Sequence, residues 1–180
     1  MPVGSLGNVD DPAEDAPGDG DPPGRAPVGI VYVTAAAIVA VDQAAKLAAV
    51  EWLRPADSVP LTSWLSLTWA TNTGGAFGLF DSSTGLLAIV AAVVVGALVF
   101  IAPRLGRSRL LAVAVASVMG GALGNLIDRV RVGYVIDYID LHFWPVFNIA
   151  DIAITVGAGL MIIATILGHP LPVETGEDSD

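Results

Sequence analysis

The sequence predicts an all-α membrane protein, four transmembrane helices with a small extracytoplasmic β-strand region. Three observations predict it. Of 180 residues, 54% are hydrophobic and only 14% are charged, against roughly 25% charged in a soluble domain; mean hydropathy is +0.69. The apolar residues fall into four charge-poor runs, each near the ~20 helical residues needed to cross a bilayer. Between the first two runs lies a Trp- and Thr-rich stretch with the alternation of short strands.

The first span begins near Val28, carries no charge to Val41, is interrupted by Asp42 and Lys46 and resumes to about Leu53. The second, Gly85 to Ala102, is uncharged and stops at Pro103. The third, Leu110 to Ile127, has Asn125 as its only strongly polar residue. The fourth, Ile152 to Leu167, follows Asp151 directly and ends at Gly168-His169-Pro170. Residues 54–84 and 128–148 form the longer connections. Residues 58–69 predict short strands at the membrane surface, and Trp52, Trp64, Trp69 and Trp144 fall near one interface, where amphipathic rings prefer to sit.

The net charge of −10 belongs mostly to two tails. Residues 1–26 hold six acids and one base, residues 174–180 hold four acids, and the body between them is nearly neutral. The Asp-, Gly- and Pro-rich segment 1–26 is too poor in large apolar residues to offset the entropy of ordering, which predicts a disordered acidic tail. The expected organisation is therefore a tail over 1–26, a membrane domain over 27–168 and a second acidic tail over 169–180. No basic patch suits a nucleic acid. The absence of cysteine excludes disulfides, thiolate nucleophiles and cysteine metal sites. The loop between spans two and three holds Arg104, Arg107 and Arg109, and Arg25 precedes span one; the other face holds Arg54, Arg129 and Arg131. By the positive-inside rule, four bases against three place both termini in the cytoplasm.

This topology gathers Asp42, Asp128, Asp137, Asp140 and Asp151 at the outer face. Asp42 lies about 21 Å along the first helix at 1.5 Å per residue, and charges at such depth usually serve a function. Each also has a plain structural reading. Asp42 and Lys46 are four apart and can pair on one helix face. Asn148 and Asp151 fit an N-cap and a first-turn acid. Asp128 is less easily explained, since the dipole disfavours an anion at a helix C-terminus, unless Arg129 compensates. Gly121, Asn125 and Asp128 share one face, and Gly120, Gly121 and Gly124 admit a close neighbouring backbone. There is no His-Glu-x-x-His zinc motif, and Ser117 lies about 15 Å from the outer end of its helix, too deep for a triad with His142. Gly18-Asp19-Gly20-Asp21 matches a Gly-x-Gly-Asp protease string but sits in the tail. A small ion-coupled carrier is the alternative for intramembrane acids, although span two has no polar side chain to line a path; a non-enzymatic scaffold leaves the polar cluster unexplained.

At these residues the chain resembles the bacterial lipoprotein signal peptidases, or signal peptidase II, from about Ile30 to Ile166. Asp42-Gln-Ala-Ala-Lys46 is similar to the family's Asp-x-x-x-Lys block, and Asn72-Thr-Gly-Gly-Ala-Phe77 to its Asn-x-Gly-Ala-Phe block, with Gly75 and Ala76 in register. Gly120-Gly-Ala-Leu-Gly-Asn125-Leu-Ile-Asp128-Arg129, Gly133-Tyr-Val-Ile-Asp137 and Phe147-Asn148-Ile-Ala-Asp151 follow in order. The resemblance implies an aspartic endopeptidase of the bacterial cytoplasmic membrane. Such an enzyme needs no metal or cofactor and no obligate protein partner. It cuts the signal peptide from a prolipoprotein just before a diacylglyceryl-modified cysteine, with membrane lipid around the site. The resemblance assigns catalysis to Asp137 and Asp151. Asp42, Lys46, Asn72, Gly75, Asn125, Asp128, Arg129 and Asn148 then bind substrate or support the pair. The residue pattern by itself leaves Asp128 a rival of Asp137.

Overall fold

The computed structural model describes residues 28–74, 84–105, 108–169 and 171–172. The tail predicted for 1–26, all but three residues of that predicted for 169–180, and Gly75 lie outside the described residues. Among the described residues four helices are long and apolar enough to cross a membrane. They are α1 (Val28–Ala56), α2 (Thr84–Ile101), α3 (Arg109–Val132) and α4 (Ile149–Ile166). Three strands, β1 (Ser58–Pro60), β2 (Ser66–Asn72) and β3 (Val135–Asp140), form one antiparallel sheet in that order. The strands predicted after span one are present. The third was not foreseen, although Gly133 followed by the β-branched and aromatic Tyr134-Val-Ile-Asp-Tyr-Ile139 carries the signal of a strand.

Local chemistry explains the helix ends. Ser108 caps α3 by accepting from the Leu111 N–H at 3.2 Å. Gly133, at φ +85°, closes α3 in the left-handed conformation that glycine adopts without a Cβ penalty. Asn148 and Asp151 form a reciprocal capping box on α4.

Helix α3 is the centre of the bundle: 67% of its spanning window is buried, against 11–17% for the other three. Small residues permit this. A Cβ at Gly120 would meet the Ala35 carbonyl of α1, one at Gly121 the Ala150 carbonyl of α4, and one at Gly157 the Ala114 carbonyl of α3. Without a hydrophobic force between helices in lipid, such close backbone packing drives their association. Val33, Val90, Phe100 and Ile166 point outward, as a lipid-facing surface requires.

Two apolar clusters bracket a polar layer. The inner one includes Val31, Ala35, Leu98, Val115, Met119 and Ala164. The outer one is Ala49, Leu53, Ile136 and Tyr138, beneath the sheet. Asp42 and Lys46 lie between these clusters along α1, and Asn125 and Asp128 follow the inner cluster's Met119 along α3.

Candidate active site

The polar layer starts with Lys46. It is wholly buried, and its ammonium has three acceptors, all at 2.9 Å: Asp42 Oδ2, Asp128 Oδ2 and Asn125 Oδ1. An ammonium has three donors and no lone pair, so the set is complete. The i, i+4 pair read from the sequence is real, and it is half of a triad. The counter-ion of Asp128 is Lys46 rather than the neighbouring Arg129. Arg131 stands 4.0 Å away, and the Ile136 N–H donates to Asp128 Oδ2 at 3.2 Å. Gln43, which the sequence did not single out, donates to Asp128 Oδ1 at 3.1 Å and to the Gly124 carbonyl at 3.2 Å. Asp42 Oδ1 accepts the Ala150 N–H at 3.0 Å and so fixes the start of α4. A buried charge without such partners is strongly destabilising.

Above this layer three asparagines hold two carboxylates. Asn125 donates from Nδ2 to Asp151 Oδ1 at 2.8 Å. Asn148 donates from Nδ2 to Asp137 Oδ1 at 2.6 Å, while its backbone N–H donates to Asp151 Oδ2 at 3.2 Å. Asn72 donates from Nδ2 to Asp137 Oδ2 at 3.1 Å. The capping reading of Asn148 and Asp151 is right, and the cap that starts α4 also orients its first-turn acid beside Asn125.

Sheet register delivers Asp137. Ala70 pairs with Asp137 and Asn72 with Val135, so Asn72 and Asp137 are diagonal neighbours on one face. The register shifts between Leu67 and Ala70, an irregularity of the kind that re-aims side chains beside functional sites. Val135 and Asp137 line a cleft of about 600 Å³, and Ile136 and Tyr138 pack on the opposite face. Asn72, Asn125, Arg129, Asp151 and the segment Trp144–Phe147 line the same cleft. Asp128 and Lys46 are not among its lining residues and are wholly buried. Arg129 Nη1 contacts the Asn125 carbonyl at 3.5 Å, and its buried Nε has no hydrogen-bond partner among the described residues. Asp140 lies at the far end of β3, where it accepts from the His142 N–H.

Burial pushes the Asp137 carboxyl up from 3.8 to about 7, and the charge of Asp151 adds to the shift. The amide donors Asn72 and Asn148 and the distant Lys46 oppose it. Such a group keeps its proton near neutral pH, as a general acid must. Burial also lifts the Tyr138 phenol to about 12, so it stays neutral behind the sheet.

This is the architecture of a multi-pass membrane enzyme. Two solved structures of a bacterial membrane enzyme, determined by the in meso method at 2.3 and 1.9 Å resolution, superpose with TM-scores of 0.75 and 0.71 at 30% and 31% identity. They cover 84% and 81% of this chain and 96% and 98% of their own. The family model for Signal peptidase (SPase) II matches residues 34–167. The chain therefore belongs to the signal peptidase II family. It is similar to the lipoprotein signal peptidase of Caldanaerobacter subterraneus subsp. tengcongensis, 45% identical over 132 residues, covering 72% of this chain and 90% of the relative. It is also similar to that of Halothermothrix orenii, 36% identical over 135 residues, covering 74% of this chain and 93% of the relative. Membership in a peptidase family sets aside the carrier and the scaffold.

Proposed function

We propose that this chain removes the signal peptide from diacylglyceryl-modified prolipoproteins as an aspartic endopeptidase, cutting before the lipidated cysteine, with Asp137 and Asp151 as its catalytic pair. One observation carries the choice of pair: Asn148 binds both carboxylates, Asp137 through its side chain and Asp151 through its backbone, on the wall of one cleft. Two carboxylates so placed do not both ionise readily, and one retains a proton. The ionised member takes a proton from water, which attacks the scissile carbonyl. The protonated member polarises that carbonyl. Arg129 in the cleft offers donors to the peptide backbone. Asp42, Lys46 and Asp128 support the pair from below, and Asn72, Asn125 and Asn148 hold it directly. Gly75 retains the role implied by its motif, in the segment that follows Asn72.

The substrate class suits the location. Acyl chains of the modified cysteine remain among the membrane lipids while its peptide enters a cleft capped by the sheet. The cleft then lies at the extracytoplasmic face of the bacterial cytoplasmic membrane, with both termini in the cytoplasm.

The test is cleavage of a diacylglyceryl-modified prolipoprotein by purified protein. Asp137→Asn and Asp151→Asn are each expected to abolish turnover, by a factor of about 10³ or more as for groups that transfer protons in the reaction, with membrane insertion intact. Turnover lost in Asp128→Asn but kept in Asp137→Asn would move the pair.

A further inference from the structure

We propose that Lys46 divides the roles of the catalytic pair: by holding the Asn125 carbonyl it turns the Asn125 N–H onto Asp151, so Asp151 is the base and Asp137 the acid. The proposal rests on reading Asp137 and Asp151 as that pair.

An amide has two chemically different faces. A buried ammonium can donate only to the carbonyl face, because the NH₂ face would set donor against donor. Lys46 Nζ stands 2.9 Å from Asn125 Oδ1, which leaves Asn125 Nδ2 to donate to Asp151 Oδ1 at 2.8 Å. The orientation of Asn125 is thus enforced by a charge, with Asn148 Nδ2 donating to the same oxygen at 3.1 Å. Asp151 also receives the Asn148 N–H on its other oxygen and sits in the first turn of α4, where the helix dipole favours an anion.

The donors on Asp137 are built differently. The Asn72 carbonyl is held by the Gly74 N–H at 3.1 Å and the Asn148 side-chain carbonyl by the Asp151 N–H at 3.0 Å. Neither carbonyl is turned by a cation, and Asp137 stands on a strand rather than at a helix N-terminus. Among the described residues the charged and titratable groups nearest the pair are Asp42 and Lys46 from α1 and Asp128 and Arg129 from α3, with Tyr138 next to Asp137 in sequence but on the opposite face of β3. Helix α2 and strand β2 contain none. Of the two cations, Arg129 lines the cleft shared by both acids, whereas Lys46 reaches Asp151 through Asn125 alone and Asp137 only through one further link, the Asn148 Nδ2 that donates to both Asn125 Oδ1 and Asp137 Oδ1.

The proton movements balance. Asp151 takes one proton from the attacking water as Asp137 gives one to the carbonyl oxygen, forming a neutral tetrahedral diol. When the C–N bond breaks, Asp151 returns its proton to the leaving nitrogen and Asp137 recovers one from a diol hydroxyl.

Lys46 acts through Asn125, so it is a positioning residue, and its signature is a displaced pH profile. Replacing Lys46 alone strands two buried carboxylates. The comparison is therefore Asp42→Asn against Asp42→Asn with Lys46→Met, in the full chain, with kcat/KM for a diacylglyceryl-modified prolipoprotein measured across pH. Loss of Lys46 is expected to move the acidic limb upward by about one pH unit, a roughly tenfold loss of rate on that limb. A merely structural role lowers the folded fraction and leaves the limb where it was, and that result overturns the proposal.

If the double variant does not fold, Asn125→Asp decides, since its carboxylate keeps a partner for Lys46 but gives no N–H to Asp151. The expected result is a kcat lower by roughly tenfold to a hundredfold, the effect of removing a hydrogen bond to a charged group, with KM little changed. Wild-type kcat overturns the proposal. Full activity in Asp137→Asn or Asp151→Asn rejects the pair itself. Inactivity of both with an unmoved acidic limb rejects only the part given to Lys46.

Discussion

Asp137 reaches the cleft with an amide on each oxygen and still holds its proton to about pH 7, because burial and the charge of Asp151 outweigh those donors. The sign of the pH dependence follows. With Asp137 as the proposed acid of the pair, cleavage requires its proton, and the rate is expected to fall as pH rises through about 7. The folded state binds this proton more tightly than the unfolded chain does. The stability it contributes is therefore fully present below 3.8 and is lost as pH rises through about 7. Thermal unfolding in detergent should show this as a wild-type Tm that declines over that window relative to Asp137→Asn. The Asn variant is a neutral isostere that cannot ionise. Equal pH dependence in the two proteins would mean that Asp137 titrates normally. Among residues, the sequence made legible what rests on near neighbours: the Asp42–Lys46 pair at i, i+4 and the Asn148–Asp151 cap at i, i+3. It did not reveal that Lys46 binds Asn125, 79 positions away, or that Asp128 pairs with Lys46 rather than Arg129. Those contacts depend on how α1 and α3 pack.

Among the elements, the α3–α4 contact controls the site most directly. Gly121 lies one turn below Asn125 on α3, and a Cβ there would meet the Ala150 carbonyl and stand 2.8 Å from Ile154 Cγ1. Gly121→Ala is therefore expected to push α4 away from α3, stretching the bond from Asn125 to Asp151. Overpacking of this kind costs about 1–3 kcal/mol, and activity should fall further than stability because a small displacement at the reacting groups is amplified in rate. Gly159, on the same helix as Asp151, has nothing within 4 Å of an added Cβ. Gly159→Ala should leave both Tm and kcat close to wild type. Measuring the two variants together separates helix packing from the general effect of adding a methyl group to a span. Four helices were readable from charge-poor apolar runs alone, whereas β3 was not, because Asp137 and Asp140 within it read as loop acids until their alternation with Ile136, Tyr138 and Ile139 is noticed.

For the molecule as a whole, four spans place the start of α1 and the end of α4 on one side and the sheet, cleft and carboxylate pair on the other. Which side is which follows from bases, and the count of four against three is narrow until the structure explains two of the three. Arg129 lines the cleft that holds Asp137 and Asp151, and Arg131 stands 4.0 Å from Asp128. They serve the acids around them and carry little information about leaflet. Arg104, Arg107 and Arg109 share a loop that contains no acid. With the site-bound pair discounted, the bias toward a cytoplasmic α2–α3 loop becomes clear. In the proposed orientation the exposed Trp52, Trp64 and Trp144 belong to an outer aromatic belt around the sheet. Since the chain has no cysteine, single cysteines report topology without background. Ser63→Cys, in the exposed turn between β1 and β2, should react in intact cells with a membrane-impermeant maleimide. Ser108→Cys, at the N-cap of α3, should react only after the membrane is opened. The reverse pattern would turn the molecule over and place the cleft in the cytoplasm, where a signal peptide's lipid-modified junction would have to reach it from the inner leaflet.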